Sequence, residues 1–464
     1  MNINKLFNTD LDFIIEGIVD DSRDVKDGYL FVATKGFNVD HYDYIDKAIE
    51  NGAIAVVADR EVSCSVPVFY VEDINNYYIK LCRLFNNISD DDFNYIGITG
   101  TDGKTTSTSI IYSIMSSLKK NALIGTNGMF IDDEHFGTNN TTPCISELYN
   151  ALGIAKKHDC KQVVMEVSSE ALLHNRVEGI NYSIVGFTNI TEDHLNVHGT
   201  IDSYIACKLK LLKYLSKDGI VVYNGDDVNL CQIKYDNKYS YGVNKDCDFT
   251  ISKVVEKDKL VTFSITYKGV NYDIVSPLLG MYNVYNVTLA FAICLLSGLD
   301  SDFIINEIKN LKPVLGRRES LNFGQDFELI LDYAHTFNGI KNILESVQNY
   351  KKIITVTGAA GGREKEKRSK IGKIVLEKSD VVIFTMDDPR YESVDSIIDD
   401  LAGDTDKEYF RIKDRVEAIN FALSVADKDS VVLILGKGRD NYMAIEDKKV
   451  PYCDYDVIKE YYNK

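Results

Sequence analysis

The stretch YIGITGTDGKTT, residues 95–106, decides the fold of this chain. Its first four residues are mainly apolar and predict a strand, and the pattern after Thr106 predicts a helix. A glycine turn between a strand and a helix binds phosphate, because backbone N–H groups and the positive end of the helix dipole point at it. The stretch therefore predicts an α/β fold with a P-loop-like nucleotide site.

The turn departs from the standard P-loop pattern at one position. That pattern has glycine five residues before Gly103, where this chain has Ile98. The rest of the chemistry is present, because Lys104 is expected on the outer phosphates and the Thr105 hydroxyl on Mg²⁺. The predicted phosphate-binding residues are Gly100, Thr101, Asp102, Gly103, Lys104, Thr105 and Thr106.

The composition narrows the class of protein. At 464 residues the chain is too long for one core, and its 45% hydrophobic and 26% charged content is ordinary for a globular protein. A formal net charge of −18 argues against a general binder of nucleic acid or anionic membranes. Nine cysteines without a CxxC pair favour reduced thiols, and the N-terminus lacks an apolar signal core. We expect a cytoplasmic protein with no nucleic-acid or membrane partner.

Strand and helix patterns alternate in three successive regions of the chain. Residues 1–89 predict a small α/β domain, and residues 90–311 predict a central nucleotide-binding domain with a mostly parallel sheet. Within the central region, residues 247–276 alternate apolar and polar side chains, which predicts an antiparallel appendage. Residues 312–464 contain β-branched runs separated by helices, as in a Rossmann-like sheet. The predicted architecture is therefore α/β with three domains.

Two candidate side chains follow predicted strands of the central region. Glu166 ends the strand at 162–167, where a carboxylate faces the ligand crevice of a parallel sheet and suits Mg²⁺. The alternative is an ordinary glutamate favoured by the dipole at a helix start. His194 follows the strand at 184–188 beside the phosphate turn. A single histidine is more often structural, and this position shifts the balance toward a ligand role.

Polar loops also follow the predicted strands of the last region. Arg317 offers a guanidinium fork for phosphate, and Asp332 is placed to accept a ribose hydroxyl, although a surface arginine and a helix cap are the ordinary alternatives. Loops at 358–363, 387–390 and 436–440 share one sheet edge and contain both charge signs. They predict a site for a small zwitterion, with plain turn chemistry as the alternative.

Together these motifs resemble the Mur ligases, and within them the branch that adds the third peptide residue to UDP-N-acetylmuramoyl-L-Ala-D-Glu. The resemblance runs nearly end to end, with shared order and spacing of the motifs. For the UDP-linked muramoyl dipeptide it implies contacts from Ser22, Thr141, Thr142, Ser168 and Arg176. For ATP it implies the phosphate turn with Asn283, Arg317 and Asp332, and for the amino acid Asp387, Asp388, Arg390, Gly436 and Asp440. For metal it implies Thr105, Glu166, His194 and a carbamylated Lys208, with Lys104, His194 and Lys208 as catalytic residues.

The resemblance implies an ATP- and Mg²⁺-dependent ligase that activates the D-Glu γ-carboxylate as an acyl phosphate. A free diamino acid is then the second partner. We expect the protein to be a monomer. Arg390 is suited to pair with the distal carboxylate of meso-diaminopimelate, which lysine lacks, and Asp440 to take an ammonium. Asp102 and Asp388 replace the usual Asn, and Arg439-Asp440 replaces His-Glu. We expect meso-diaminopimelate first and L-lysine next, with a ligase for a different carboxylate as the alternative.

Overall fold

The computed structural model describes residues 1–36, 39–363 and 365–463. Its internal contacts divide the chain into two compact units. The first unit comprises Met1–Thr99, Met115–Gly186 and Cys207–Val221. The second comprises Gly100–Ile114, Phe187–Ala206 and Val222–Lys464.

Among residues 1–36 and 39–224, the structure has eleven strands and seven α-helices. The strands are β1 (Gly17–Val19), β2 (Tyr29–Val32), β3 (Ala53–Ala58), β4 (Val68–Tyr70), β5 (Asn94–Thr99), β6 (Asn121–Gly125), β7 (Gly128–Ile131), β8 (Glu134–Phe136), β9 (Gln162–Glu166), β10 (Tyr182–Phe187) and β11 (Leu215–Asn224). The helices are α1 (Ile45–Glu50), α2 (Ile74–Phe85), α3 (Lys104–Ser116), α4 (Ile145–Lys157), α5 (Ser169–Leu173), α6 (Leu195–His198) and α7 (Ile201–Leu209).

The later part of the chain contributes twelve more strands and seven more helices among the described residues. The strands are β12 (Lys238–Gly242), β13 (Phe249–Lys257), β14 (Leu260–Tyr267), β15 (Val270–Ser276), β16 (Glu319–Ser320), β17 (Glu328–Asp332), β18 (Lys352–Thr357), β19 (Val381–Phe384), β20 (Phe410–Arg411), β21 (Ser430–Leu435), β22 (Tyr442–Ile445) and β23 (Lys448–Pro451). The helices are α8 (Met281–Leu296), α9 (Ser301–Lys309), α10 (Phe337–Glu345), α11 (Glu366–Lys378), α12 (Val394–Ala402), α13 (Arg415–Ser424) and α14 (Asp454–Tyr462).

The first unit is built on parallel strands. β1 to β4 form a parallel sheet in chain order. A second run of strands has the order β11-β10-β5-β9-β6-β7-β8, in which β5, β9 and β6 are parallel and β7 and β8 form antiparallel hairpins. All five residues of β9 are buried, as expected for a parallel strand covered on both faces.

The second unit contains the predicted antiparallel appendage. β13, β14 and β15 pair as an antiparallel ladder, and β12 joins β13 in parallel, so the prediction for residues 247–276 is confirmed. Helix α8 packs against β12, β13 and β14. Its core-facing side chains are almost all buried, which explains its nearly continuous apolar sequence.

A doubly wound sheet forms the rest of the second unit. Its order is β16-β17-β21-β18-β19-β20, parallel except for β16. Helices α10, α11 and α12 cover one face, and α13 and α14 cover the other. The predicted α/β fold is confirmed, while the domain boundaries at 89 and 311 stay predictions. Within the described part of the chain, no helix combines the length and apolar character needed to cross a membrane.

Candidate active site

The phosphate turn lies between β5 and α3, as the sequence predicts. Gly103 has φ +85°, and a Cβ there would overlap the Asn286 side-chain oxygen, so glycine alone fits. The segment after β10 holds the turn in place: the Asp102 N–H donates to Asn189 Oδ1 at 3.0 Å, and the Thr188 hydroxyl donates to the Asp102 carbonyl at 2.6 Å. The turn is therefore a preformed concave loop.

Lys104 folds back over this turn. Its ammonium donates to the carbonyls of Gly100 at 2.9 Å and Thr101 at 2.8 Å. The next residue, Thr105, accepts a hydrogen bond from Arg317 Nη2 at 3.0 Å. Two cations are thus fixed at the turn, where phosphate oxygens are expected to bind.

A cavity of about 380 Å³ opens beside the turn, entirely within the second unit. This volume is typical of a small-molecule site. Among its lining residues are six that the sequence predicts for ATP: Asp102, Gly103, Thr106, Asn283, Arg317 and Asp332. Its walls also contain residues that sequence reasoning missed, including Tyr282, Asn286, Asn342 and Ile343.

The polar side chains of this cavity are held rigidly. Asn283 Oδ1 accepts from Asn286 Nδ2 at 3.2 Å at the start of α8. Asp332, at the end of β17, accepts the Arg318 N–H at 2.6 Å. Burial raises the pKa of the Asp332 carboxyl, and the Arg317 guanidinium opposes that shift. The cavity therefore presents fixed hydrogen-bonding groups to a nucleoside.

Asp102 makes a contact that no sequence signal predicts. The Thr336 hydroxyl lies 3.1 and 3.2 Å from the two Asp102 carboxylate oxygens. The same hydroxyl caps α10 by accepting the Gly339 N–H at 2.9 Å. Burial raises the pKa of the Asp102 carboxyl, although the Lys104 ammonium opposes the shift. Asp102, which the sequence predicts to bind phosphate, therefore also links the turn to the start of α10 by a hydrogen bond.

A second cavity, of about 140 Å³, also lies within the second unit. It collects the loops that follow β17, β18, β19 and β21 at the carboxyl edge of the doubly wound sheet, where ligands bind in such folds. Its predicted lining residues are His194, Asp387, Asp388, Arg390, Gly436 and Asp440. Arg363, which also lines the cavity, belongs to the 358–363 loop of the predicted zwitterion site. Sequence reasoning assigned no site role to Tyr333, His335 or Lys367, which line it as well.

Buried Lys437 connects two of these loops. Its ammonium donates to Asp388 Oδ1 at 2.8 Å and to Asp440 Oδ2 at 2.9 Å. Burial lowers the pKa of Lys437, but the Asp440, Asp387 and Asp388 carboxylates outweigh it, so the net shift is upward. Asp388 and Asp440 are thus partly committed to a buried ion pair.

Three charged side chains of the second cavity are not committed to a hydrogen-bonded ion pair of this kind. Among the described residues, none hydrogen-bonds to the Asp387 carboxylate or ion-pairs with the Arg363 or Arg390 guanidinium. Gly436 has φ +114°, and a Cβ there would overlap the Asp387 carboxylate. Burial raises the pKa of Asp387, opposed by Arg415 and Lys437. The cavity therefore offers two cationic forks and one carboxylate to a ligand.

His194 lies at the edge of this cavity in a left-handed conformation, φ +54°. Burial lowers its pKa to about 4, against the influence of Asp193, whose Oδ2 lies 3.4 Å from Nε2. Burial raises the pKa of Asp193, but His194 and Lys367, at 2.9 Å, bring it below its usual range. His194 is thus neutral at pH 7, the form that ligates metal.

The first unit gathers most of the residues predicted for the muramoyl dipeptide. Thr142 Oγ1 donates to the Glu166 carbonyl at 2.9 Å and accepts the Ser168 N–H at 2.9 Å. Arg176 Nη1 donates to the Thr142 carbonyl at 3.3 Å. These bonds fix the loop before α4 to the end of β9.

The Glu166 side chain itself is oriented by hydrogen bonds. Its Oε1 accepts the Thr126 N–H at 2.8 Å, and its Oε2 lies 3.2 Å from the Thr126 hydroxyl. That hydroxyl lies 3.1 Å from the hydroxyl of Thr141. Glu166 is 1% exposed, so the arrangement is a buried carboxylate in a polar cradle rather than a helix-capping group.

Two further predicted residues are buried in the first unit. Ser22 lies in a short 3₁₀ turn, Ser22–Asp24, and Lys208 lies on α7 with 1% exposure. Within residues 1–36, 39–363 and 365–463, no group of three or more His, Cys, Asp or Glu side chains is preassembled for metal. The metal roles of Thr105, Glu166, His194 and Lys208 therefore stay predictions.

Comparison with known proteins decides the family. Residues 14–82 match the Mur ligase family catalytic domain, 98–294 the Mur ligase middle domain, and 316–438 the Mur ligase glutamate ligase domain. The chain is 36% identical over 458 residues to the UDP-N-acetylmuramoyl-L-alanyl-D-glutamate–2,6-diaminopimelate ligase of Bacillus licheniformis, covering 96% of this chain and 94% of the relative. The chain belongs to the Mur ligase family.

Other members of the family agree with this assignment. The protein of the same name from Aquifex aeolicus is 37% identical over 463 residues, covering 97% of this Mur ligase and 95% of the relative. A solved structure of a protein with that name, 25% identical, matches with a TM-score of 0.66 and covers 100% and 99% of the two chains. The MurF ligase from Thermotoga maritima, 21% identical over 90% of this chain and 93% of that one, shares the fold with a TM-score of 0.67. The chain is therefore an enzyme of the ligase class.

Proposed function

We propose that this Mur ligase joins meso-diaminopimelate to the D-Glu residue of UDP-N-acetylmuramoyl-L-Ala-D-Glu, with ATP, in the synthesis of peptidoglycan precursors. The names of relatives at 36% and 37% identity support this pair of substrates. The observation that supports the choice of amino acid is the set of unpartnered charges in the second cavity.

Each of those charges has a matching group on diaminopimelate. The molecule has two carboxylates and two amines, whereas lysine has one carboxylate. The Arg363 and Arg390 guanidiniums supply one fork for each carboxylate, and bidentate pairing is the preferred geometry of such contacts. Asp387 takes the ammonium that does not react. Asp440, predicted for that ammonium, is held by Lys437, so it adds negative potential beside Asp387.

The first cavity serves the nucleotide in this proposal. A carboxylate is a poor acyl donor, because oxide cannot leave at neutral pH. Transfer of the ATP γ-phosphoryl group to the D-Glu γ-carboxylate gives an acyl phosphate with phosphate as its leaving group. The amine then attacks the acyl carbon, and phosphate departs. Lys104 and Arg317 stabilise the charge that spreads over the phosphoryl oxygens during the transfer.

The predicted metal ligands suit Mg²⁺ by their chemistry. Mg²⁺ prefers hard oxygen donors, and the Thr105 hydroxyl and the Glu166 carboxylate are of that type. Bound Mg²⁺ would supply positive charge to the phosphate oxygens. We propose a carbamate on buried Lys208, because its anionic oxygens, unlike an ammonium, would be ligands for a cation. Neutral His194 remains available as a nitrogen ligand.

One panel of reactions tests the proposal. The purified protein is incubated with ATP, Mg²⁺ and UDP-N-acetylmuramoyl-L-Ala-D-Glu, and meso-diaminopimelate, L-lysine or L-ornithine is added separately. We expect phosphate release and a product of increased mass only when the dipeptide and diaminopimelate are both present. A product formed only with lysine would overturn the proposed amino acid. Amine-dependent phosphate release that ignores the dipeptide would overturn the proposed acyl substrate.

A further inference from the structure

A fully buried ion pair lies behind the second cavity. Arg415 is the first residue of α13, and Asp454 is the first residue of α14, with exposures of 1% and 0%. Arg415 Nε donates to Asp454 Oδ1 at 2.8 Å, and Nη2 donates to Oδ2 at 2.7 Å. This bidentate geometry fixes the plane of the guanidinium.

The remaining donors of Arg415 reach the backbone of two cavity loops. Nη2 donates to the Leu435 carbonyl at 2.8 Å, and Nη1 lies 3.3 Å from the Met386 carbonyl. Leu435 ends β21 and precedes Gly436, and Met386 follows β19 and precedes Asp387. One guanidinium therefore joins the starting points of both loops.

Stability alone does not account for this arrangement. Removing two charges from water is costly, and well-packed apolar residues often replace a buried ion pair without loss of stability. A cation at the start of a helix is also opposed by the helix dipole. What an apolar pair cannot provide is a rigid bridge between two backbone carbonyls. The same guanidinium also counters the effect of burial on the Asp387 carboxyl.

We propose that Arg415 and Asp454 are positioning residues for the amino acid substrate. They fix the distance between the loops that begin at Met386 and Leu435, so that the Asp387 carboxylate packs against Gly436 and faces the cavity. The inference rests on the proposed function of the second cavity as the amino acid site. Neither residue contacts the substrate, and both act through the loops.

A charge-free double variant tests this inference. Arg415→Met with Asp454→Leu removes both charges and keeps an apolar fill. We expect the KM for the amino acid to rise tenfold or more, while the KM for ATP changes less than twofold. Hydrogen exchange in the full-length protein should become faster for residues 386–390 and 436–440, a readout that needs no substrate.

A matched control separates positioning from stability. Ile458→Ala removes a buried apolar side chain from the same helix, α14, without touching either loop carbonyl. It should lower the melting temperature but leave the KM for the amino acid unchanged. If the double variant fails to fold, Arg415→Lys replaces it, because an ammonium cannot bridge the carboxylate and both carbonyls in the same plane.

The two hypotheses fail in different ways. Unchanged exchange of both loops, together with an unchanged KM for the amino acid, would overturn the positioning role. A wild-type protein that shows no amine-dependent ligation would overturn the proposed function, and the exchange measurement would still decide whether Arg415 holds the loops.

Discussion

Arg390→Ala tests the amino acid assignment most directly. Arg390 lies at φ +53° after β19, and its backbone N–H donates to the Ala444 carbonyl at 3.0 Å. This bond fixes the backbone while the guanidinium has no ion-pair partner among the described residues. Truncation to alanine therefore removes the proposed ligand-binding guanidinium without breaking a salt bridge to the described residues.

The expected magnitude follows from the hydrogen bonds that are lost. A hydrogen bond to a charged group contributes about 1.5–3 kcal/mol, and a bidentate pair at a half-buried arginine is screened by water. A loss of about 2–3 kcal/mol corresponds to a fall of roughly 30- to 150-fold in kcat/KM for meso-diaminopimelate. Lysine has no distal carboxylate, so its kcat/KM should change less than about threefold.

The assay measures phosphate release with each amine at saturating ATP and muramoyl dipeptide, and mass spectrometry identifies the product. Arg363→Ala is the matched control, since we assign that guanidinium to the carboxylate that both amines share. It should reduce the use of both amines by a similar factor. Equal losses for the two amines in Arg390→Ala would refute selective recognition of the distal carboxylate and indicate a structural role.

Three further changes have defined outcomes. Lys104→Ala should abolish turnover while the circular dichroism spectrum stays native, because the ammonium over the phosphate turn is lost. Gly103→Ala should raise the KM for ATP by tenfold or more, since the new Cβ overlaps the Asn286 side chain at a positive φ. Glu392→Gln tests how the free energy of unfolding falls at low pH. The Arg368 guanidinium lowers the pKa of Glu392 to about 2 from 4.5. The stabilisation is complete above pH 4.5 and is lost toward pH 2, so the variant should be less stable at pH 7 and show a flatter acid limb in unfolding experiments.

Each of these outcomes has a clear opposite. Normal turnover by Lys104→Ala would remove the catalytic role of the turn. An unchanged KM for ATP in Gly103→Ala would show that the turn tolerates a side chain and is not in contact with nucleotide. If the free energy of unfolding of Glu392→Gln depends on pH below 4.5 as that of the wild type does, the Arg368 guanidinium does not lower the pKa of Glu392.

Local patterns made much of the fold predictable. The phosphate turn at residues 95–106 specifies its own strand, turn and helix, because glycine torsions and helix capping act over a few residues. The alternation at residues 247–276 likewise specifies an antiparallel ladder with one buried face.

The partners within the site were not predictable, because strand order sets them. β21 lies between β17 and β18 in the sheet, although it comes last of the three in the chain. In that order β21 and β19 flank β18, and the loops that follow them come close enough for Lys437 to form an ion pair with Asp388. The residue types in each loop give the signs of the charges. They cannot show which charges form ion pairs with one another and which remain available to a ligand.

The unpartnered guanidiniums also determine how selectivity between amines arises. If lysine binds with its one carboxylate on Arg363, Arg390 keeps its charge but has no acceptor inside a cavity from which water is displaced. When a fully buried polar group of a site is left without its partner on the substrate, the site can reject the substrate analogue that lacks this partner by about 10⁴-fold. Arg390 is only half-buried and stays partly hydrated, so rejection nearer to 10²-fold is expected. Because the guanidinium stays partly hydrated when lysine is bound, the selectivity is mainly binding energy that only diaminopimelate gains, and removing the guanidinium should abolish it without creating an efficient lysine ligase.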